Sequence, residues 1–143
     1  MRRLTALLVT VPLLAGCASD KERYCEAVEE NQTALSDIAA QGGQEALIEA
    51  LDIYRDLQEQ APRDLTDEWD QVVRSIEELD EALADAGVDA AAYNPKKPPA
   101  GVTADQQEAI AAAASEVGSL ETQKALAGVE QQARDVCKTP LTV

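Results

Sequence analysis

The feature that most constrains this chain is the recurrence of apolar residues every three or four positions, interrupted at a few places by glycine and proline. That spacing places apolar side chains on one side of an α-helix. The interruptions fall at residues 42–43, 61–62 and 87–102. Alanine, leucine, glutamate and glutamine are frequent, which also favours helix over strand. We therefore predict one all-α domain over residues 20–138.

The first predicted helix begins at Asp20, because Ser19 and Glu22 have the spacing of a capping box. It ends at the glycine pair 42–43, since glycine adopts the left-handed conformation of a helix cap without a steric penalty. Its predicted apolar face consists of Tyr24, Cys25, Val28, Leu35, Ile38 and Ala39.

The second predicted helix covers residues 44–60. It ends before Pro62, because the residue that precedes a proline is driven out of helical geometry. Its predicted apolar face consists of Leu47, Ile48, Leu51, Tyr54 and Leu57.

The third predicted helix begins with Thr66 as its N-cap and ends at Gly87. We expect Trp69 to anchor the core, and the alternative is a platform on which a ligand stacks. The predicted apolar face consists of Trp69, Val72, Val73, Ile76, Leu79 and Leu83.

Residues 88–102 are rich in proline and are predicted to form a mobile loop with polyproline character. Lys96 and Lys97 are its only positive charges, and Asn94 lies next to them. Prolines lower the entropic cost of ordering such a segment on a partner. Asn94, Lys96 and Lys97 are therefore a candidate contact loop, and the alternative is a connection without a binding role.

A fourth helical stretch is predicted from the capping-box pair Thr103 and Gln106 to about residue 138. An unbroken helix of that length would be about 50 Å long, so we expect a kink or a full break at residues 118–119. Residues 139–143 are predicted to be a tail. The predicted apolar face consists of Ile110, Ala113, Ala114, Val117, Leu120, Leu126, Val129, Ala133, Val136 and Cys137.

The N-terminal segment has the three regions of a secretory signal. Two arginines precede an apolar run over residues 4–14, and small residues follow. The run is shorter than the ~20 residues that a bilayer-spanning helix needs, and Pro12 interrupts it. Residues 1–16 are therefore predicted to be a signal peptide.

The stretch Leu14-Ala15-Gly16-Cys17 resembles the lipobox of bacterial lipoproteins. In that family the cysteine thiol receives a diacylglyceryl group and a peptidase cuts just before it. The resemblance implies cleavage between Gly16 and Cys17 and a membrane-lipid anchor on Cys17, with residues 17–19 as the linker. Each buried methylene of the acyl chains contributes about 0.8 kcal/mol to membrane binding. The alternatives are an ordinary cleaved signal with an incidental cysteine, or a buried helix.

Once the resemblance assigns Cys17 to lipid, Cys25 and Cys137 remain as an even pair in a compartment where disulfides persist. We predict a Cys25–Cys137 disulfide, and the alternative is two buried free thiols. A disulfide needs Cα atoms within ~7 Å, so the chain must leave and return at one end. The expected fold is an antiparallel four-helix bundle with its last helix kinked or split.

Four basic residues, Lys21, Arg23, Arg134 and Lys138, are expected at the same end as the disulfide and the anchor. Anionic headgroups attract such charges. We predict that these four residues face the membrane, and the alternative is that they are ordinary surface charges.

The composition excludes several classes of function. With 27 acidic and 12 basic residues, the chain carries a formal charge of −15, which repels nucleic-acid phosphates. Histidine is absent, so there is no imidazole base, no Ser-His-Asp triad and no histidine metal ligand. The acidic residues around Gly87 lack the register of a calcium loop. The sequence predicts no enzyme, no metal site and no cofactor, and the alternative is an enzyme that uses carboxylates alone, which would need a convergent acidic cleft.

Four features together resemble small helical lipoproteins of actinobacteria: the lipobox, the pair Tyr24-Cys25, an Ala-Pro pair before Trp69, and Cys137. The resemblance implies a helical extracytoplasmic body and no particular activity. We predict a non-enzymatic binding or structural module of the cell envelope, with another envelope protein as its partner. The alternative is a small-ligand binder with an apolar pocket between helices, lined by residues 109–114 and Trp69.

Overall fold

A computed structural model of the protein describes residues 19–143. The predicted signal peptide, the predicted cleavage site between Gly16 and Cys17 and the predicted lipidation of Cys17 lie outside the described residues. Residues 19–143 contain helices and turns and no strand, which confirms the all-α class. The elements are α1 (Asp20–Gln41), α2 (Gly43–Glu49), α3 (Leu51–Gln60), a 3-10 turn (Arg63–Leu65), α4 (Thr66–Asp85), α5 (Ala104–Val117), α6 (Leu120–Gln132) and a π-helical turn (Ala133–Cys137).

Both predicted capping boxes are formed. The Glu22 N–H donates to Ser19 Oγ at 3.2 Å, and the Ser19 N–H donates to the Glu22 carboxylate at 2.7 Å. These bonds lower the pKa of Glu22, because the Ser19 backbone N–H stabilises the ionised carboxylate. Thr103 and Gln106 make the same reciprocal pair at the start of α5. Local sequence therefore sets where these two helices begin.

The predicted end of α4 at Gly87 is confirmed by a Schellman motif. The Val88 N–H donates to the Leu83 carbonyl at 3.0 Å, and the Gly87 N–H donates to the Ala84 carbonyl at 2.9 Å. Gly87 has a φ of +66°, a conformation that glycine adopts without the steric penalty other residues incur.

Two predicted helix boundaries are wrong. The helix predicted over residues 44–60 is divided at Ala50 into α2 and α3, although the Ala50 N–H donates to the Ala46 carbonyl and the Tyr54 N–H donates to the Ala50 carbonyl, both at 3.0 Å. Thr66 is not an N-cap but the first helical residue of α4, because the 3-10 turn Arg63–Leu65 leads directly into that helix.

Two predicted core positions are also wrong. Ala39 is exposed near the end of α1. Leu120 is 75% exposed, because the chain breaks at Gly118-Ser119 and α6 starts in a new direction with Ser119 as its cap. The apolar periodicity of α5 therefore does not continue into α6, although the break itself lies where it was predicted. The buried side chains of α6 are Thr122, Ala125 and Val129.

The core is arranged around α4, which packs against α2, α3, α5 and α6. The helix α1 packs against α2, α3 and the π-helical turn. Buried apolar side chains form two clusters. The larger one surrounds Trp69, and the smaller one consists of Leu79, Leu83 and Ile110. Ile48 is partly buried and contacts both clusters.

The predicted disulfide joins Cys25 in the second turn of α1 to Cys137 at the end of the π-helical turn, with Cα atoms 5.0 Å apart. The segment 139–143 is not a free tail. Gln32 Nε2 donates to the Pro140 carbonyl at 2.7 Å, the Val143 N–H donates to Ser36 Oγ at 3.0 Å, and Leu141 is buried. The segment therefore lies along α1 and adds to the larger cluster.

Candidate functional site

The end of the molecule that carries the disulfide, here called the disulfide end, is tightly packed around Trp69. Its side chain is fully buried, and Trp69 Nε1 donates to the Tyr24 hydroxyl at 3.2 Å. The Tyr54 ring lies 5.7 Å from the Trp69 ring, centroid to centroid. Burial raises the pKa of Tyr24 to about 12 and also raises the pKa of Tyr54. Trp69 is therefore a core anchor, as predicted, and the ligand-platform alternative is wrong.

The four basic residues predicted to face the membrane, Lys21, Arg23, Arg134 and Lys138, are all exposed. Arg23 pairs with Asp20, and Arg134 lies 3.6 Å from the Glu130 carboxylate. Lys138 Nζ donates to the Asp135 backbone carbonyl at 2.6 Å. The two arginines are therefore matched with carboxylates of neighbouring turns, whereas Lys21 and Lys138 form no ion pair within residues 19–143.

At the opposite end, here called the loop end, the candidate contact residues Asn94, Lys96 and Lys97 share one turn. The Lys96 N–H donates to Asn94 Oδ1 at 2.9 Å, and the Lys97 N–H donates to the Asn94 carbonyl at 3.0 Å. An asparagine that accepts the N–H two residues on is typical of an Asx turn. All three residues are exposed, so the turn presents two ammonium groups to solvent.

The rest of the loop 88–102 is a series of turns that pack on the body of the protein. Val88, Ala90 and Tyr93 contact the smaller cluster. Gln107 Nε2 donates to the Val102 carbonyl at 3.1 Å, and Gln106 Nε2 donates to the Asp85 carbonyl at 3.0 Å. The polyproline character predicted for the segment is therefore limited, since its backbone turns at residues 90–92, 95–96 and 100–101.

A cavity of about 320 Å³ lies beneath this loop. Gln44 is one of its lining residues, and Gln44 Oε1 is buried without a hydrogen-bond partner. The predicted pocket combined residues 109–114 with Trp69. Of that segment Ile110, Ala111 and Ala114 line the cavity, whereas Ala109, Ala112 and Ala113 line a groove between α4 and α5. Trp69 belongs to the other cluster and does not line the cavity. The lining residues are Gln44, Tyr93, Pro95, Gln107, Glu108, Ile110, Ala111 and Ala114.

Sequence reasoning did not identify Gln44 as a candidate site residue. It follows a glycine pair at the start of a helix, where a polar residue is ordinary. Its side-chain oxygen is nevertheless buried without a hydrogen-bond partner. No local pattern in the sequence carries that information.

Carboxylates line a separate open groove of about 670 Å³ between α4 and α5. Within the part of the chain that the structure describes, no group of three or more cysteine, aspartate or glutamate side chains converges closely enough to hold a metal ion. The helices of residues 19–143 include none with the length and apolarity to cross a bilayer. The acidic residues of the groove are Glu78, Glu81, Asp85 and Glu116.

Comparison of the chain with known protein families, with curated proteins and with solved structures finds no match.

Proposed function

We propose that this protein is a lipoprotein anchored through Cys17 on the outer face of the cytoplasmic membrane, where it acts as a non-enzymatic binding or structural module of the envelope. The observation that carries this proposal is the Cys25–Cys137 disulfide. Such a bond persists outside the cytoplasm and is rare within it. It supports export, which the lipobox-like stretch ending at Cys17 requires.

We further propose that the helices form an antiparallel four-helix bundle in which α2–α3 and α5–α6 each count as one interrupted helix. The packing of α4 on α3, α5 and α6 supports this arrangement. The disulfide supports it as well, because it brings the beginning of α1 next to the end of the last helical turn.

In this arrangement the anchor and the contact turn lie at opposite ends. Only Ala18 separates Cys17 from the Ser19 cap of α1. The helix α1 has 22 residues and is therefore about 33 Å long. The loop end, with Asn94, Lys96 and Lys97, would project away from the membrane. We propose that this turn contacts another envelope protein.

The anchor is tested by the Cys17→Ser variant. We expect the wild-type protein in the membrane fraction with a diacylglyceryl group on Cys17 by mass spectrometry, and the variant without that mass. A Cys25→Ser/Cys137→Ser variant is the control and should stay on the membrane. Recovery of wild-type protein in the cytosol with residues 1–16 uncut would contradict the proposal.

The contact turn is tested by affinity capture from detergent-solubilised envelopes. We expect Lys96→Gln/Lys97→Gln to lose a partner that the wild-type protein captures. The matched control is Arg63→Gln/Lys124→Gln, which removes two exposed positive charges elsewhere. The same captured proteins with all three forms would exclude a contact through this turn.

The membrane-facing role of the basic residues is tested on the chain without residues 1–17, with vesicles of anionic lipid. Each Lys or Arg near such a surface contributes about 1 kcal/mol. We expect Lys21→Gln/Lys138→Gln to weaken binding by about 30-fold, since 1.4 kcal/mol is a factor of ten. Arg23→Gln/Arg134→Gln makes the same charge change, but each arginine is already matched with a carboxylate, so the effect should be smaller. Equal effects, or none, would show that the two lysines do not face the lipid.

A further inference from the structure

We infer that residues 138–143 form a strap whose attachment to the body of the protein is controlled by the Cys25–Cys137 disulfide: the strap is closed in the oxidised protein and open in the reduced one. This redox-dependent strap belongs to the disulfide end and depends neither on the proposed anchor nor on the proposed protein contact. It rests on how the strap is held, on the left-handed backbone at Lys138 and on the position of the disulfide directly before that residue.

Two hydrogen bonds to α1 and one buried side chain are the main attachments of the strap. Gln32 Nε2 donates to the Pro140 carbonyl at 2.7 Å, and the Val143 N–H donates to Ser36 Oγ at 3.0 Å. Between these bonds the side chain of Leu141 enters the larger cluster and is only 3% exposed. Gln32 and Ser36 are one helical turn apart, so the strap runs along α1.

These attachments are few for a segment of this length. Fixing the backbone of one residue costs at least as much free energy as an average intramolecular hydrogen bond contributes. The strap has six residues to fix, and the two hydrogen bonds and the burial of Leu141 oppose that cost. A covalent restraint at the start of a segment lowers the entropy that docking must overcome. The strap therefore stays docked when its first residue is already held in place.

The disulfide supplies that restraint. Cys137 directly precedes the strap, and its bond keeps its Cα atom 5.0 Å from that of Cys25 in α1. Lys138 follows with a φ of +61°, the only positive φ outside glycine within residues 19–143. This left-handed conformation is unfavourable for lysine and persists where the structure fixes the chain on both sides. The disulfide fixes one side and Leu141 the other, so loss of the disulfide releases the strap at Lys138.

Opening requires a dithiol, because the disulfide must accept two electrons. One thiolate of the dithiol attacks a sulfur of the pair, the S–S bond breaks, and the other cysteine leaves as a thiolate that takes up a proton. The second thiol of the dithiol then displaces the remaining cysteine, which is protonated in turn. The protein gains two electrons and two protons, and the dithiol becomes a disulfide. Closing is the reverse exchange with a disulfide oxidant. Both cysteine residues are partly exposed, as this exchange requires.

The test measures backbone order parameters of the full chain by nuclear magnetic resonance, before and after addition of dithiothreitol. The Thr142 N–H reports on the strap, and the N–H of the buried residue Val73 reports on α4. Order parameters of about 0.85 indicate a rigid backbone, and values below about 0.6 indicate a flexible one. Leu141→Ala removes the buried side chain of the strap. Val143→Ala is the matched control, since the Val143 side chain is 89% exposed.

We expect the order parameter of Thr142 to fall from about 0.85 to below about 0.6 on reduction, whereas that of Val73 stays near 0.85. Leu141→Ala should lower the value at Thr142 even in the oxidised protein, because the remaining hydrogen bonds do not offset the cost of ordering the strap. Val143→Ala should leave the value at Thr142 unchanged.

The variant Cys25→Ala/Cys137→Ala should have an open strap without reductant and an ordered α4. An ordered Thr142 in the absence of the disulfide would overturn the inference, since the strap would then dock by itself. Loss of order at Val73 together with Thr142 would also overturn it, because the disulfide would then hold the whole fold and not the strap. So would an ordered strap in Leu141→Ala, or a strap that Val143→Ala frees equally.

Discussion

The two ends of this molecule are stabilised in different ways. At the disulfide end a covalent bond, a buried hydrogen bond between Trp69 and Tyr24, and the inserted side chain of Leu141 close a filled core. At the loop end only Leu79, Leu83 and Ile110 are fully buried in the cluster, and the loop 88–102 covers them with turns. Within the described residues, the one buried side-chain oxygen without a hydrogen-bond partner is Gln44 Oε1, at the loop end.

This difference indicates that the two ends of the molecule have different roles. Regions with few buried apolar contacts and exposed backbone open more readily than the rest of a fold. The loop end has these properties, and it also carries the candidate contact turn. In the proposed function, the disulfide end would hold the helices together next to the proposed anchor, while the loop end would adapt to the proposed partner.

Removal of the disulfide should give one of the two largest losses of stability. The two cysteines are 112 residues apart, and the chain-entropy model gives a stabilisation of about 5 kcal/mol for closing such a loop. We expect Cys25→Ala/Cys137→Ala to lower the free energy of unfolding by about 3–5 kcal/mol in urea titrations. Reductant should destabilise the wild-type protein similarly and leave the variant unchanged. Equal urea midpoints for the two proteins would show that the bond contributes little to stability.

Leucine truncations test whether the two clusters differ in packing. Leu57 and Leu83 are both fully buried, Leu57 in the larger cluster and Leu83 in the smaller one. A Leu→Ala change costs about 2.7–5 kcal/mol, and less where the surroundings collapse into the space left. We expect about 4–5 kcal/mol for Leu57→Ala and about 3 kcal/mol for Leu83→Ala, because turns cover Leu83. A larger loss for Leu83→Ala would contradict the proposed difference between the ends.

Local signals explain which parts of the fold were predictable. The capping boxes at Ser19 and Thr103 and the glycine end of α4 depend only on residues within a few positions, so the sequence pattern locates them. The break at residues 118–119 was predictable as well, because an unbroken helix would exceed the length of its neighbours. All the apolar residues buried on α4 were predicted from their spacing, whereas the buried polar residues Gln71 and Ser75 were not.

The features that were missed depend on contacts between distant segments. The interruption at Ala50, the exposure of Leu120 and the burial of Leu141 all follow from how helices meet, which periodicity does not encode. The candidate site shows the same limit. Residues 109–114 were predictable as a small apolar surface, but Gln44 joins them only after the loop 88–102 folds over α5.

The hydrogen bond between Trp69 and Tyr24 should contribute less to the free energy of unfolding than the apolar packing at the disulfide end does. In Tyr24→Phe, Trp69 Nε1 would remain buried without an acceptor, which costs about 1–3 kcal/mol. The matched control is Tyr93→Phe at the loop end, whose hydroxyl makes no hydrogen bond within the described residues and whose loss should cost less than about 0.5 kcal/mol. Urea titrations of both variants at neutral pH measure the difference, and equal losses would exclude a special role for this bond.

The same tyrosine predicts how stability depends on alkaline pH. Burial raises the pKa of Tyr24 from 10.0 to about 12 in the folded chain, so between these values the unfolded chain releases a proton that the folded chain keeps. The unfolded state then binds fewer protons, and the free energy of unfolding must fall as pH rises from about 10 to about 12. We expect this fall to be steeper in the wild-type protein than in Tyr24→Phe. Parallel curves for the two proteins would show that Tyr24 titrates normally.

The smallest expected change in the free energy of unfolding concerns the loop end, and it is a gain instead of a loss. A buried acceptor without a donor destabilises the folded state by about 1–3 kcal/mol, and an apolar replacement of similar shape removes that cost. We expect Gln44→Met to raise the free energy of unfolding by about 1 kcal/mol. Gln107→Met is the matched control and should lower it, because Gln107 Nε2 donates to the Val102 carbonyl and helps to hold the loop. If Gln44→Met destabilises the protein as Gln107→Met does, then the Gln44 oxygen is already paired in solution.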